Sequence, residues 1–166
     1  MRKIICEKLP RITKNRKKLE SILEVKITNR GKEVFVDGAS EDEYVAEKVI
    51  DALNFGFPFS VAVLIKKEGH IFEVINIKDY SRRKNLKEVR ARIIGKNGLA
   101  LKTLASLTDC AFELKDNEVG IVGAPESIKF AQNAITSIVE GAKHGNVYKF
   151  LERQNKIPSS DLGLKK

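Results

Sequence analysis

Cysteine is nearly missing from this chain of 166 residues, which has two, Cys6 and Cys110. Two distant thiols make neither a disulfide framework nor a metal set, so each is expected as a small buried apolar residue. Long apolar runs are missing too. The longest, VAVLI at Val61–Ile65, is far short of the roughly 20 residues that span a bilayer. The opening MRKIICEKLPR turns polar too soon for a secretory signal, which points to a reducing compartment and a cytoplasmic site. No P-loop is present, since Gly98 is followed by Leu99 and not by Lys-Ser/Thr. Neither His70 nor His144 has a cysteine or an acid at ligand spacing. Carboxylates are dense between Asp37 and Asp51, but Glu43 and Glu47, four apart, suit a solvated helix face. No catalytic set emerges. Neither enzymatic activity nor a cofactor or metal is expected.

Positive charge is in excess. Lys plus Arg number 31 against 22 Asp plus Glu, a net charge of +9. That balance points to an acidic partner, with nucleic acid and anionic membrane the usual candidates. The excess is concentrated in two blocks, Arg2 to Lys18 and Arg82 to Lys102, each with a single acidic residue, Glu7 and Glu88. An apolar fraction of 42% is enough to bury a core, and the length suits one compact domain or two small ones.

Both basic blocks fall on one phrase, written twice: RITKNRKKL at Arg11–Leu19 and RIIGKNGLALKTL at Arg92–Leu104. The same order of elements follows each. In the second copy Leu101, Leu104 and Leu107 keep helical spacing, CAFEL and VGIVG read as strands around the turn KDNE, and Pro125 opens a helix. That helix buries Ile128, Ala131, Ile135 and Ile138 and closes at Gly141. The first copy reads KKLESIL, EVKIT, the turn NRGK, EVFVDG and the helix SEDEYVAEKVIDAL. Ser40 and Glu43 form a capping box there, with Tyr44, Val45, Val49 and Leu53 facing inward. A β-branched strand precedes each copy, KIIC and HIFEVINI. Two α+β units of roughly 70 residues are predicted, a plausible small-domain size. The apolar segment FGFPFSVAVLIKK joins them as glue, with Ser60 capping a short helix. A closing helix with Val147, Phe150 and Leu151 gives way to a polar tail, IPSSDLGLKK, expected to fray.

Two glycines three residues apart need a reason. Gly95 falls where the helix NLKEVRARII must end, at a position where positive φ is cheap only for glycine. Gly98 opens the next helix. Without a Cβ it lets another backbone approach the free N–H groups and positive dipole of that helix. A phosphodiester suits that approach, with Lys96 pairing with phosphate charge and Asn97 bonding sugar or phosphate oxygen. A lone GxxG is common in helix connections; the basic helix before it, the strands after it and the repeat give this one its weight.

RIIGKNGLALKTLASLTDCAFEL…VGIVGAPESIKFAQNAI resembles a type I KH domain with its I-G-x-x-G turn. With ALNFGFPFSVAVL, EVINIKDY and the closing GAKHGNVYKFLE, the chain from about Lys3 to Arg153 resembles the paired-KH ribosome-assembly family called partner of Nob-one. The resemblance implies an α+β fold of two tandem type I KH domains, each a three-stranded antiparallel sheet packed with three helices. Residues 1–68 would hold the first, with a degenerate GxxG loop and the connecting helix. Residues 69–166 would hold the second, with the GxxG loop and a helical tail. It also implies binding of single-stranded RNA near the 3′ end of the small-subunit (16S-type) rRNA precursor. The protein would assist the endonuclease that matures that end without cutting RNA itself. The short start of the chain then suggests the compact archaeal form.

A KH groove holds about four nucleotides between the turn and the following strand. Its walls here are expected from Arg90, Ile93 and Ile94 on one side and CAFEL on the other. Aromatics make up 7% of the chain and none lies between Lys87 and Cys110, so bases are expected on aliphatic surface. That argues against the aromatic platforms of RRM and OB folds. The expected RNA-binding set is Gly95, Lys96, Asn97 and Gly98, with Arg90, Arg92, Ile94, Lys102, Arg82, Arg83 and Lys84. Thr13 and Arg16 stand where Gly95 and Gly98 stand in the second copy. A Cβ in a left-handed turn costs roughly 1–2 kcal/mol, so the first loop is expected in another conformation. It would offer Arg11, Lys14, Arg16, Lys17 and Lys18 as a secondary basic surface to folded RNA or a protein. Residues alone leave RNA against DNA open, and a KH adaptor in translation regulation or RNA decay is the competing reading.

Overall fold

The computed structural model describes residues 1–155. The expected frayed tail from Ile157 onward lies outside the described residues. The first half runs β1 (Arg2–Ile5), α1 (Leu9–Thr13), α2 (Arg16–Leu23), β2 (Lys26–Arg30), β3 (Glu33–Asp37) and α3 (Ser40–Phe55). Two one-turn helices follow, α4 (Phe59–Ala62) and α5 (Leu64–Lys67). The second half repeats the order with β4 (Ile71–Asn76), α6 (Leu86–Ile94), α7 (Leu99–Thr108), β5 (Ala111–Lys115), β6 (Glu118–Gly123) and α8 (Pro125–Val139). It adds α9 (His144–Asn155). Each half builds a three-stranded antiparallel sheet with its third strand central, β1-β3-β2 and β4-β6-β5.

Alternation in the strands and 3.6-residue spacing in the helices put one face of each sheet against its own helices. Val34, Val36, Leu19, Leu23, Val49 and Ile50 centre the first core; Val119, Ile121, Ile93, Leu104, Ile135 and Ile138 centre the second. Both cysteines are buried, and burial with the nearby Asp51 charge pushes the Cys6 thiol up to about 11. Such a thiol is inert packing.

The connecting segment joins the halves directly. Phe55 and Phe57 stack with centroids 6.0 Å apart, and each meets Phe72 of β4 edge-on, at 5.6 and 5.7 Å. Gly120 lies beneath them in β6, where a Cβ would stand 2.6 Å from the Phe55 ring. Aromatic rings of the first half therefore cover the outer face of the second sheet around Phe72 and Gly120.

Three local expectations are corrected. Ser40 is the first residue of α3 and caps nothing; Ala39 is the N-cap, and Glu43 reaches back to accept the Gly38 N–H at 2.9 Å. Ser60 lies inside α4, which starts after Pro58. Tyr44 points outward, 53% exposed, with the cations of Arg2 and Lys48 over its ring at 5.5 and 5.4 Å. Ala46 and Ile50 take the inward places on that helix.

Candidate nucleic-acid interface

α6 ends where the chain turns left-handed. Gly95 has φ 76° and ψ 176°, Asn97 has φ 55°, and Gly98 has φ 75° as the N-cap of α7. The two glycines are needed for different reasons. A Cβ on Gly95 would sit 2.4 Å from the Ala100 Cβ and 2.8 Å from the Ala100 nitrogen, so this glycine lets the turn close onto α7. A Cβ on Gly98 would meet nothing within 4 Å. The space beside Gly98 is open to solvent, and Lys96 and Asn97 are exposed at the tip. Helix polarity aims the leading N–H groups of α7 toward this end.

The matching connection in the first half is built otherwise. Lys14 is right-handed at φ −63° and Asn15 has φ −111°, and no residue from Thr13 to Arg16 has positive φ. Side chains at Thr13 and Arg16 keep the backbone in the helical and bridge regions, where L-residues are at ease.

Of the expected groove walls, Ile94 is 38% exposed and the edge strand β5 is half-exposed along its length. Arg90 is half-buried and donates through Nη1 to the Asn117 Oδ1 of the β5–β6 turn. Lys102 is exposed on α7. Ile93 is not a wall: it is fully buried in the core.

Arg92 is also corrected. Two residues from Arg90 and from Ile94 is about 200° around a helix, and the guanidinium points to α8. There Nη1 and Nη2 donate to the carbonyls of Ile138 and Ala142, both at 2.8 Å. Its charge satisfies the C-terminal end of α8 and faces away from the groove. Arg82, Arg83 and Lys84 are exposed in the loop before α6, with the nine-residue helix between them and the turn. At 1.5 Å per residue that is about 13 Å, so they form a separate patch. In the first half Arg11, Lys14, Arg16, Lys17 and Lys18 are all exposed, and Arg11 also donates to the Phe57 carbonyl at 3.0 Å, which braces the connecting segment.

One contribution is absent from the expected set. α9 packs beside α7 and brings His144 and Tyr148 to the turn, where they line a depression with Lys96, Leu99 and Thr103. His144 Nε2 donates to the Arg92 carbonyl at 2.7 Å. Burial pushes the Tyr148 phenol up, against a hydrogen bond with Thr103. The closing GAKHGNVYKFLE was the signal, because it places both rings on one helix face. Among the described residues no group of three or more His, Cys, Asp or Glu could hold a metal ion, and no helix is long and apolar enough to cross a membrane.

A family model for the second KH domain of PNO1 proteins, described as a eukaryotic type KH domain (KH domain type I), matches residues 71–156. The chain belongs to the partner-of-Nob-one family of type I KH proteins. KH domain-containing protein MJ0443 of Methanocaldococcus jannaschii is 34% identical over 110 residues, covering 66% of this chain and 48% of that protein. The pre-rRNA-processing protein pno1 of Aspergillus oryzae is 26% identical over 106 residues, covering 61% of this chain and 41% of that one. The chain thus spans under half the length of these curated relatives. A chain in the crystal structure of an a/eIF2alpha–aDim2p–rRNA complex from Pyrococcus horikoshii superposes with a TM-score of 0.82 at 27% identity, covering 93% of both chains. In partner-of-Nob-one terms, the matched segment is the half with the open turn.

Proposed function

We propose that this partner-of-Nob-one protein grips a single strand of RNA at the Gly95–Gly98 turn and acts in assembly of the small ribosomal subunit. One observation carries the reading: Gly98 opens α7 with free space where a side chain would be, between exposed Lys96 and Asn97 and the leading N–H groups of that helix. A strand's phosphates can reach those donors without displacing protein atoms. The rRNA in the Pyrococcus complex and the pre-rRNA-processing role in the name of the Aspergillus relative support the RNA class and the setting. On this reading the strand belongs to the 3′ region of the small-subunit precursor, and the chain presents it to a Nob-one-type endonuclease without cutting it.

The division at residues 68 and 69 separates two KH units with different work. The first, whose turn is right-handed, is a degenerate KH domain that presents Lys14, Arg16, Lys17 and Lys18 to folded RNA or a protein. It sets the orientation of the second through the phenylalanine cluster.

The test is Lys96→Asp with Asn97→Asp, two exposed positions. Binding of short single-stranded RNA should be abolished and the melting temperature should hardly move. Equal loss of fold and binding would mean the turn is only structural. Affinity for RNA should also fall with salt, with a slope of about 0.7 per neutralised phosphate. Charge reversal at Lys14 and Lys17 should weaken binding across RNA sequences alike; a changed sequence preference counts against the division of labour. Crosslinking in cells should pile reads at the small-subunit rRNA 3′ end, whereas dispersed mRNA reads would favour an adaptor.

A further inference from the structure

The depression between α7 and α9 lies on the other side of α7 from the groove. Leu99 and Thr103, four residues apart, face it, while Leu101 is about 200° around the helix from each. Ala105, four residues beyond Leu101, faces the start of β5. α9 forms the far wall and is fixed at both ends. His144 Nε2 donates to the Arg92 carbonyl at 2.7 Å, and Asn155 Nδ2 donates to the Leu107 carbonyl at 2.8 Å. The two helices therefore run side by side in the same direction, and both begin at the turn.

We propose that this depression takes one nucleobase of the bound strand, immediately outside the nucleotides held in the groove. The proposal rests on the RNA reading above. Its volume, about 270 Å³, lies at the small end of the roughly 300–1,000 Å³ of ligand clefts and leaves room for one planar base. The lining is the kind a base face needs. Leu99 is 64% exposed, the most exposed large apolar side chain of the second half among the described residues. The His144 and Tyr148 rings stand beside it, 6.1 Å apart and tilted by 57°. A lone exposed leucine carries no meaning; this one lies next to two rings held by hydrogen bonds, one residue after Gly98. Lys96 belongs both to the turn and to the rim of the depression, so a phosphate at the turn and its base in the depression can be neighbours in one strand. Stacking on such rings tolerates any base, so the subsite adds affinity without a sequence code.

The test measures wild-type protein with single-stranded RNAs by competition. It starts from the tetranucleotide that fills the groove and adds one nucleotide at either end. Extension at one end should tighten binding about fivefold, in line with a single stacked base. An abasic nucleotide at that position should lose the gain. Leu99→Ser should lose it too while binding the tetranucleotide like wild type, and the exposure of Leu99 should leave the melting temperature unchanged. No gain at either end, or a gain that persists with the abasic nucleotide or in Leu99→Ser, overturns the subsite and leaves the grip at the turn standing. Failure of wild type to bind the tetranucleotide or any longer strand overturns both. Leu99→Ser with unaltered RNA binding but lost binding to a protein of the assembling subunit would also overturn it, because the depression would then seat an apolar side chain.

Discussion

Gly95→Ala and Gly98→Ala add the same methyl group at two ends of one turn and should behave differently. At Gly95 the backbone, φ 76° and ψ 176°, lies in a region populated almost only by glycine. Holding another residue there costs about 1–3 kcal/mol. The methyl would also sit 2.4 Å from the Ala100 Cβ and 2.8 Å from the Ala100 nitrogen, and that backbone is held inside α7. Overpacking of this kind adds about 1–3 kcal/mol. The total, about 2–6 kcal/mol, lowers the melting temperature by about 4–24 °C at 2–4 °C per kcal/mol for a chain of this length. At Gly98, φ 75° and ψ 8°, the backbone is ordinary left-handed helix and the methyl enters open space. The penalty is about 1–2 kcal/mol, or about 2–8 °C. Circular-dichroism melts measure the first effect. Fluorescence anisotropy with a short single-stranded RNA, at a temperature where the variant is folded, measures the second. Gly98→Ala should keep its fold and lose affinity, because the methyl occupies the line of approach to the α7 donors. Equal destabilisation by the two variants, or full RNA affinity in Gly98→Ala, would falsify the assignment of one glycine to packing and the other to approach.

Arg92→Met should destabilise the fold by at least about 1.5–3 kcal/mol, the range for one hydrogen bond to a charged group, and leave RNA affinity of the folded protein unchanged, as checked by melts and anisotropy. Asp51→Asn should raise the melting temperature at neutral pH. Burial first, then the Glu47 charge, raises the Asp51 carboxyl above its ordinary value, against the pull of Lys48. Its ionised form therefore costs stability above the raised value, and the advantage of Asn should vanish as pH falls below the ordinary 3.8. Gly120→Ala would bring a methyl to 2.6 Å from the Phe55 ring and 3.0 Å from the Phe57 ring. It should cost about 1–3 kcal/mol and speed proteolytic cleavage in the connecting segment, seen by limited proteolysis.

Periodicity and punctuation made most of the architecture legible. EVFVDG and VGIVG read as strands, Pro125 marked a helix start, and the doubled phrase marked the repeat; which strand is central came only with the sheet pairing. The left-handed turn was legible because two glycines so close together, at a break in helical spacing, call for positive φ. Asn97 shares the turn through a conformation that asparagine tolerates. What stayed hidden depends on partners distant in sequence. Arg92 meets carbonyls 46 and 50 residues away, and His144 meets a carbonyl 52 residues away. A basic residue in a basic block looks like a ligand contact until the end of α8 is found beside it. Tyr44 misled for a related reason: helical spacing defines a face, and two nearby cations made its edge hospitable on the outside.

The aromatic cover over the outer sheet face sets how the protein can be dissected. Residues 71–156, the segment matched by the KH family model, include Phe72 and Gly120 but exclude Phe55 and Phe57. A fragment cut at those limits would carry a bare hydrophobic plane and self-associate at the concentrations used for spectroscopy. An excised unit intended to behave as a monomer must therefore start upstream of Phe55, taking with it the last turn of α3.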